Sequence, residues 1–213
     1  MIRFVNLPII MGLSSVVFLV SATVDVHAAD WPQFHGPAGD NISTEAGLLK
    51  QWPDGGPELT WTARGVGDGF ASVSVAGGLI YTAGSIEGET VVMALDLDGN
   101  IVWKTACGDA WTKNHPGARG TPAVDGDRLY YETPFGDVVC LDAKTGQKHW
   151  GLNILDHFEA ENITWALAES VLVDGNNLIC CPFGENGSVV ALNKLTGETV
   201  WAAPSTGDKA GYG

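Results

Sequence analysis

An all-β fold is predicted for this 213-residue chain, a partial β-propeller of three four-stranded antiparallel blades plus one leading strand. Three observations predict it. One turn-centred pattern occurs three times, as Ala94-Leu95-Asp96-Leu97-Asp98-Gly99 running on to Trp103, Cys140-Leu141-Asp142-Ala143-Lys144-Thr145-Gly146 running on to Trp150, and Ala191-Leu192-Asn193-Lys194-Leu195-Thr196-Gly197 running on to Trp201. Each glycine stands four residues before its tryptophan, and the tryptophans fall 47 and 51 residues apart. Short alternating apolar segments separated by glycine turns fill the intervals, which is how a repeat of blade-sized units reads.

The elements follow in order. Met1-Ile2-Arg3 is a short basic start, an apolar run spans Leu7 to Ala22, and Val26-His27-Ala28 has the small-residue pattern of a signal-peptidase site. The run is interrupted by Ser14, Ser15 and Ser21 and is short against the roughly 20 residues of a stable span. Residues 1–28 are therefore expected to be a cleaved signal peptide, leaving a periplasmic or secreted chain with no stable membrane span. Residues 29–58 read as irregular: Trp31-Pro32-Gln33-Phe34-His35-Gly36-Pro37 and Trp52-Pro53-Asp54-Gly55-Gly56-Pro57 alternate rings with chain breakers. Leu59-Thr60-Trp61-Thr62 alternates as the leading strand.

Residues 59–213 are assigned to the propeller, with blades at about 70–105, 119–151 and 167–202. In the first blade, strands are expected at 72–75, 79–82, 90–96 and 100–105, with the turn Gly77-Gly78 joining the first two. The second has 122–124, 128–132, 137–141 and 147–150 around Asp125-Gly126-Asp127. The third has 170–173, 177–181, 188–192 and 198–201 around Asp174-Gly175-Asn176. A parallel β-solenoid would use shorter coils without such hairpins. Three blades do not close a ring, since propellers use about four to eight, and Gly207-Asp208-Lys209 resembles the lead-in to another strand, as Gly67-Asp68-Gly69 does. The expectation is a truncated, N-terminal part of a larger propeller, with Trp61 a strand awaiting blades that the sequence lacks.

A four-stranded blade has two apolar faces and buries them only by stacking on neighbours. Trp61, Trp103, Trp150 and Trp201 are assigned to this docking, and Gly99, Gly146 and Gly197 to turns where a positive φ is cheap only for glycine.

Composition restricts the partners. Eleven basic and 25 acidic side chains give a net charge of −14, and removing residues 1–28 takes one Arg and one Asp, leaving it unchanged. Such a surface repels phosphate backbones, so no nucleic-acid partner is expected. Four cysteines, Cys107, Cys140, Cys180 and Cys181, neither build a disulfide scaffold nor show zinc-site spacing.

The repeated Ala-Leu-Asp-x-x-Thr-Gly-x-x-x-Trp pattern resembles the pyrroloquinoline quinone (PQQ)-like, or quinoprotein alcohol dehydrogenase-like, β-propeller repeat over residues 59–213, with Asp96 to Gly99 one residue short and Asn193 in place of Asp. The opening Asp30-Trp31-Pro32-Gln33-Phe34-His35-Gly36-Pro37 resembles the leader of secreted bacterial members, which often carry Arg where His35 stands. That family includes quinone-dependent dehydrogenases and non-enzymatic scaffolds. The resemblance implies a non-catalytic binding or scaffold module without cofactor, or alternatively the N-terminal part of a PQQ-dependent dehydrogenase oxidising alcohols or sugars, with PQQ and calcium. Cys180-Cys181 is the weak cofactor-binding candidate, because quinoprotein dehydrogenases hold a vicinal disulfide beside the quinone. Against it, neighbouring strand residues face opposite sides.

No catalytic or metal-ligating residue is assigned. Asp96, Asp98 and Asn100 begin like a calcium loop, but glycine falls at the fourth position and Cys107 stands where a bidentate Glu is needed. The inter-blade connections 107–119 and 156–165 are rich in aromatic and polar groups, and such loops carry binding groups at one end of a propeller. A site is expected there from Trp111, His115, Arg119, His157 and Trp165, for a protein or small-molecule ligand.

Overall fold

The computed structural model describes residues 29–211. Every glycine turn named above bends the chain into a hairpin, and the result is three separate four-stranded antiparallel sheets with strands in sequence order. The first blade is β1 (Ser74–Ala76), β2 (Leu79–Ile86), β3 (Glu89–Leu95) and β4 (Ile101–Asp109). The second is β5 (Ala123–Asp125), β6 (Arg128–Glu132), β7 (Asp137–Asp142) and β8 (Lys148–Asn153), followed by the short helix α1 (Ile154–His157). The third is β9 (Leu172–Asp174), β10 (Asn177–Cys180), β11 (Val190–Asn193) and β12 (Thr199–Ala202). Asn153 caps α1 by accepting from the Asp156 amide, which satisfies one orphan donor of this single turn.

Alternation along the strands decides which side each residue serves. Val92 and Ala94 of β3 face the second blade and pack with Leu129, Tyr131, Val139 and Leu141. Their neighbours Val91, Met93 and Leu95 point the other way, onto Ala63 and Val66. The second blade repeats the scheme: Tyr130, Val138 and Cys140 meet Leu178, Cys180, Val190 and Leu192 of the third. Two inter-blade cores thus share one sheet, with residues of opposite parity.

The repeated tryptophans lie across these seams. Trp103 rests on Gly146 of the next blade, so closely that a Cβ there would stand 2.5 Å from the ring, and its Nε1 donates to Ala143 O at 3.0 Å. Trp150 does the same one blade further, against Gly197 and with Nε1 donating to Lys194 O at 3.1 Å. Each turn is held by its Asp or Asn: Asp142 Oδ1 accepts from the Lys144 and Thr145 amides, and Asn193 Oδ1 from the Leu195 amide. Asp96 accepts from Asp98 N, Asn100 N and Asn100 Nδ2, so the residues that begin like a calcium loop form an Asx turn.

Two expectations need correction. Residues 59–62 are not a strand, because no described strand lies alongside to pair with their backbone. Trp61 is not waiting for a missing blade either: it lies on Gly99 of the first blade, where a Cβ would fall 2.7 Å from its ring. The unmatched ring is Trp201, 43% exposed on β12 at the edge of the third blade. The signal-peptide expectation concerns residues 1–28, outside the described residues.

The stretch after Asp30 is irregular but not loose. Trp31 and Val75 exchange backbone hydrogen bonds at 2.8 and 2.9 Å, and Pro32 O accepts from Val124 N at 2.8 Å. Phe34, His35 and Gly39 then share a hollow with Ser170, Val171 and Leu172. This strap runs past β1, β5 and β9 in turn and gives backbone partners to the open edges of β1 and β5.

Candidate functional site

The connections after β4 and β8 and those joining β2–β3, β6–β7 and β10–β11 gather at one end of the blades. Trp111 anchors the first. It is buried, stacks on Phe135 of the β6–β7 connection with centroids 5.4 Å apart, and its Nε1 donates to Asn114 O at 2.9 Å. That bond and Gly117 N donating to Trp111 O close a compact loop. Gly117, at φ +119°, is required here: a Cβ would meet Asp68 O and Gly69 Cα at 2.6 Å. The close approach lets Phe70 N donate to Ala118 O at 2.7 Å, which sets the Phe70 ring beside the loop.

Arg119 occupies the centre. Its guanidinium lies 5.7 Å from the Phe70 ring centre and 5.9 Å from that of Trp111, and it donates to Asn114 O and His115 O. Such stacking on rings stabilises a cation while leaving its plane fixed. His115, held at φ +52°, sits between Phe70 (6.3 Å) and Trp165 (5.6 Å). Phe70 is 62% exposed and Trp165 42%, so the row Trp165–His115–Phe70–Arg119 is a surface with a shallow hollow of about 290 Å³ among its members.

Of the five sequence candidates the fold brings together Trp111, His115, Arg119 and Trp165. His157 is elsewhere, on α1, with Nε2 3.2 Å from Thr199 Oγ1 of the third blade and its ring on Phe158. The one-turn helix turns His157 away from the loop that carries Trp165. Phe70 was missed by sequence reasoning. Gly67 and Gly69, read only as a strand lead-in, permit the close backbone approach, but no spacing tells which loop comes near.

Two further hollows adjoin this row. One of about 410 Å³ is lined by Trp111, Lys113, Asn114, Phe135 and residues 162–164. The other, of about 450 Å³, is lined by Glu159, Glu161, Asn162, Phe183, Glu185, Asp208 and Lys209 among others. They share Asn162, and the lining residues 159–162 and 162–164 lead along the chain to Trp165.

The chemistry-bearing groups inside the blades are of another kind. Cys180 is buried among the residues between the second and third blades, and burial raises its pKa well above the usual thiol value. Cys181 is partly buried beside Glu169; burial first, then that carboxylate, push its thiol up to about 12. Both are free thiols, Cys180 inside the core between the blades and Cys181 outside it. Glu132 is only 4% exposed, its Oε2 has no hydrogen-bond partner, and burial together with Glu169 raises its pKa well above the carboxylate range. Among the described residues no three His, Cys, Asp or Glu side chains are grouped to hold a metal ion.

Known proteins share this architecture. The family profile described as outer membrane protein assembly factor BamB matches residues 88–212. The quinohemoprotein alcohol dehydrogenase ADH-IIG of Pseudomonas putida is 32% identical over 146 residues, covering 62% of this chain and 19% of that protein. Quinohemoprotein alcohol dehydrogenase ADH IIB of the same organism is 29% identical over 137 residues, covering 58% of this chain and 18% of its own length. The chain therefore spans about a fifth of the length of the curated relatives it matches. Among solved structures, quinohemoprotein alcohol dehydrogenase from Comamonas testosteroni superposes with a TM-score of 0.54 at 24% identity, over 82% of this chain and 27% of that one. A europium-containing methanol dehydrogenase gives 0.52 at 22% identity, over 68% and 27%. At such identities these two likenesses are of fold. With the repeat, the three sheets and a profile match over more than half its length, the chain belongs to the PQQ-like β-propeller family.

Proposed function

We propose that this chain is a non-catalytic binding or scaffold module of an exported protein, with its docking site at the end of the blades around Arg119. The observation that carries this reading is the exposed row Trp165–His115–Phe70–Arg119, held in place by stacking and by hydrogen bonds to backbone carbonyls of its own loop. Rings with few rotatable bonds around a stacked guanidinium are the composition of binding hot spots, because little conformational entropy is lost when a partner covers them. Export is supported by the leader-like residues 1–28 and by kinship with quinohemoprotein dehydrogenases.

A second reading, part of a PQQ-dependent dehydrogenase acting on alcohols or sugars, is favoured by the 32% identity to ADH-IIG. The test is direct. The purified protein is titrated with PQQ and Ca²⁺ while absorbance and dye-linked oxidation of alcohols and sugars are recorded. A binding module gives neither saturable uptake nor turnover; stoichiometric PQQ uptake with oxidation overturns the proposal.

A further inference from the structure

We propose that the groove along residues 159–165 receives an extended, cationic peptide segment of a partner protein, with an apolar side chain of that segment on the Phe70–Trp165 surface and its lysines or arginines against Glu159, Glu161, Glu185 and Asp208. This rests on the binding-module reading and names the class of partner.

Shape is the first argument. The three hollows are strung along residues 159–165, linked by Asn162 between the second and third and by the Asn114–Arg119 hydrogen bond between the second and first. A row of separate shallow hollows suits an extended chain, whose side chains enter successive depressions, rather than one compact ligand in a closed cavity.

Charge is the second. At one end four exposed carboxylates and one lysine, Lys209, line the hollow, on a protein whose net charge is −14. Glu159 is held at φ +52° and Phe183 at φ +53°, so two residues lining this hollow are in left-handed geometry. At the other end the rings supply apolar area, and the cations Arg119 and Lys113 are both stacked on Trp111. The groove is thus polarised, acidic at the Glu161 end and aromatic at the Trp165 end, which orients a peptide bearing separate basic and apolar residues. Opposite charges at the rim steer encounter and fall away with salt.

The probe is a capped synthetic peptide with one phenylalanine followed by glycine-spaced lysines, compared with the same peptide carrying glutamates for lysines, and titrated into the full chain by calorimetry and tryptophan fluorescence. Saturable one-to-one binding of the lysine peptide is expected, weakening several-fold between about 0.05 and 0.3 M salt. Phe70→Ala and Trp165→Ala are each expected to weaken it about tenfold, and the pair Glu161→Gln with Glu185→Gln by a similar factor. All four side chains are exposed, so the variants keep the blades, and the edge-strand variant Val200→Ala controls for general surface effects. Equal binding of the glutamate peptide, or unchanged binding in the groove variants, overturns the inference. Oligosaccharide binding at Trp165 in the absence of peptide binding overturns the peptide class while the module reading stands, whereas PQQ uptake with turnover removes that reading itself.

Discussion

Replacing Gly146 by alanine separates the cost of a glycine conformation from the cost of losing a docked ring. Gly146 has φ +72°, which costs an L-residue about 1–2 kcal/mol. Its new Cβ would stand 2.5 Å from Trp103 Cε3 and 2.7 Å from Thr105 Oγ1, and Trp103 is rigid and only 9% exposed. Displacing that ring adds an overpacking cost of about 1–3 kcal/mol. If the indole shifts far enough to lose its bond to Ala143 O, about 1 kcal/mol more follows. The expected loss is about 2–5 kcal/mol with that bond kept and about 3–6 kcal/mol without it. Gly126 supplies the control, since its φ of +62° carries the same conformational cost while nothing lies within 4 Å of a Cβ there. Gly126→Ala should therefore cost about 1–2 kcal/mol. Gly99→Ala should fall between them, because Trp61 is 41% exposed and can swing toward water. Urea unfolding of the three variants, followed by far-ultraviolet circular dichroism, gives the differences. Equal losses for Gly146→Ala and Gly126→Ala would refute the blade-docking role of the tryptophan and glycine pair.

Other consequences are as direct. Trp150→Ala should cost about 3 kcal/mol or more and Trp201→Ala less than about 1 kcal/mol, because only the first ring is seated on a neighbouring glycine and bonded to a carbonyl; thermal melts that rank them the other way refute the assignment. Glu132 stays protonated in the fold above its ordinary value of 4.5, so the unfolded chain releases this proton first and stability falls as pH rises from there toward the folded-state pKa, by up to about 1.4 kcal/mol per unit. Glu132→Gln should raise the melting temperature at pH 8 and leave it nearly unchanged at pH 4; equal shifts at both would sink the linkage. Asp142 has the opposite sign, held below the carboxylate range first by its Thr145 hydrogen bonds, so its contribution is present above the ordinary value of 3.8 and lost as pH falls. Asp142→Asn should accordingly flatten the acid side of the melting profile, and an unaltered acid limb counts against it. Gly36→Val, at φ +79° with the Trp31 ring 2.8 Å from a Cβ, should loosen the strap and raise hydrogen exchange at the β1 and β5 amides; unchanged protection at Val75 and Val124 refutes the strap's role.

What the sequence revealed was what is periodic. Strand positions followed from short apolar runs such as Thr90–Leu95 between glycine turns, and blade order from the Gly-to-Trp interval, because both repeat from blade to blade. The strap was not legible, since Trp31 and Pro32 bind through backbone atoms, which leave no side-chain signature. Trp61 was placed in a strand by its alternation, although a ladder also needs a neighbour that no local pattern reveals. At the rim, loop composition pointed to Trp111, His115, Arg119 and Trp165. Their meeting with Phe70 depends on the close approach of Gly69 and Gly117, which lie in separate connections. His157 was lost to one helical turn.

The strap also bears on how the chain comes to fold. Stacked repeats touch only their neighbours, so their folding is close to one-dimensional and can proceed unit by unit as synthesis advances. Trp31, Pro32 and the Phe34–Gly39 stretch break that rule: they precede every blade, yet their partners are Val75, Val124 and the residues around Leu172. A stretch made ahead of all three sheets thus completes its contacts only after the third has begun to form. Long-range closures of this kind raise contact order and slow folding. In return they tie three otherwise pairwise units into a single cooperative transition.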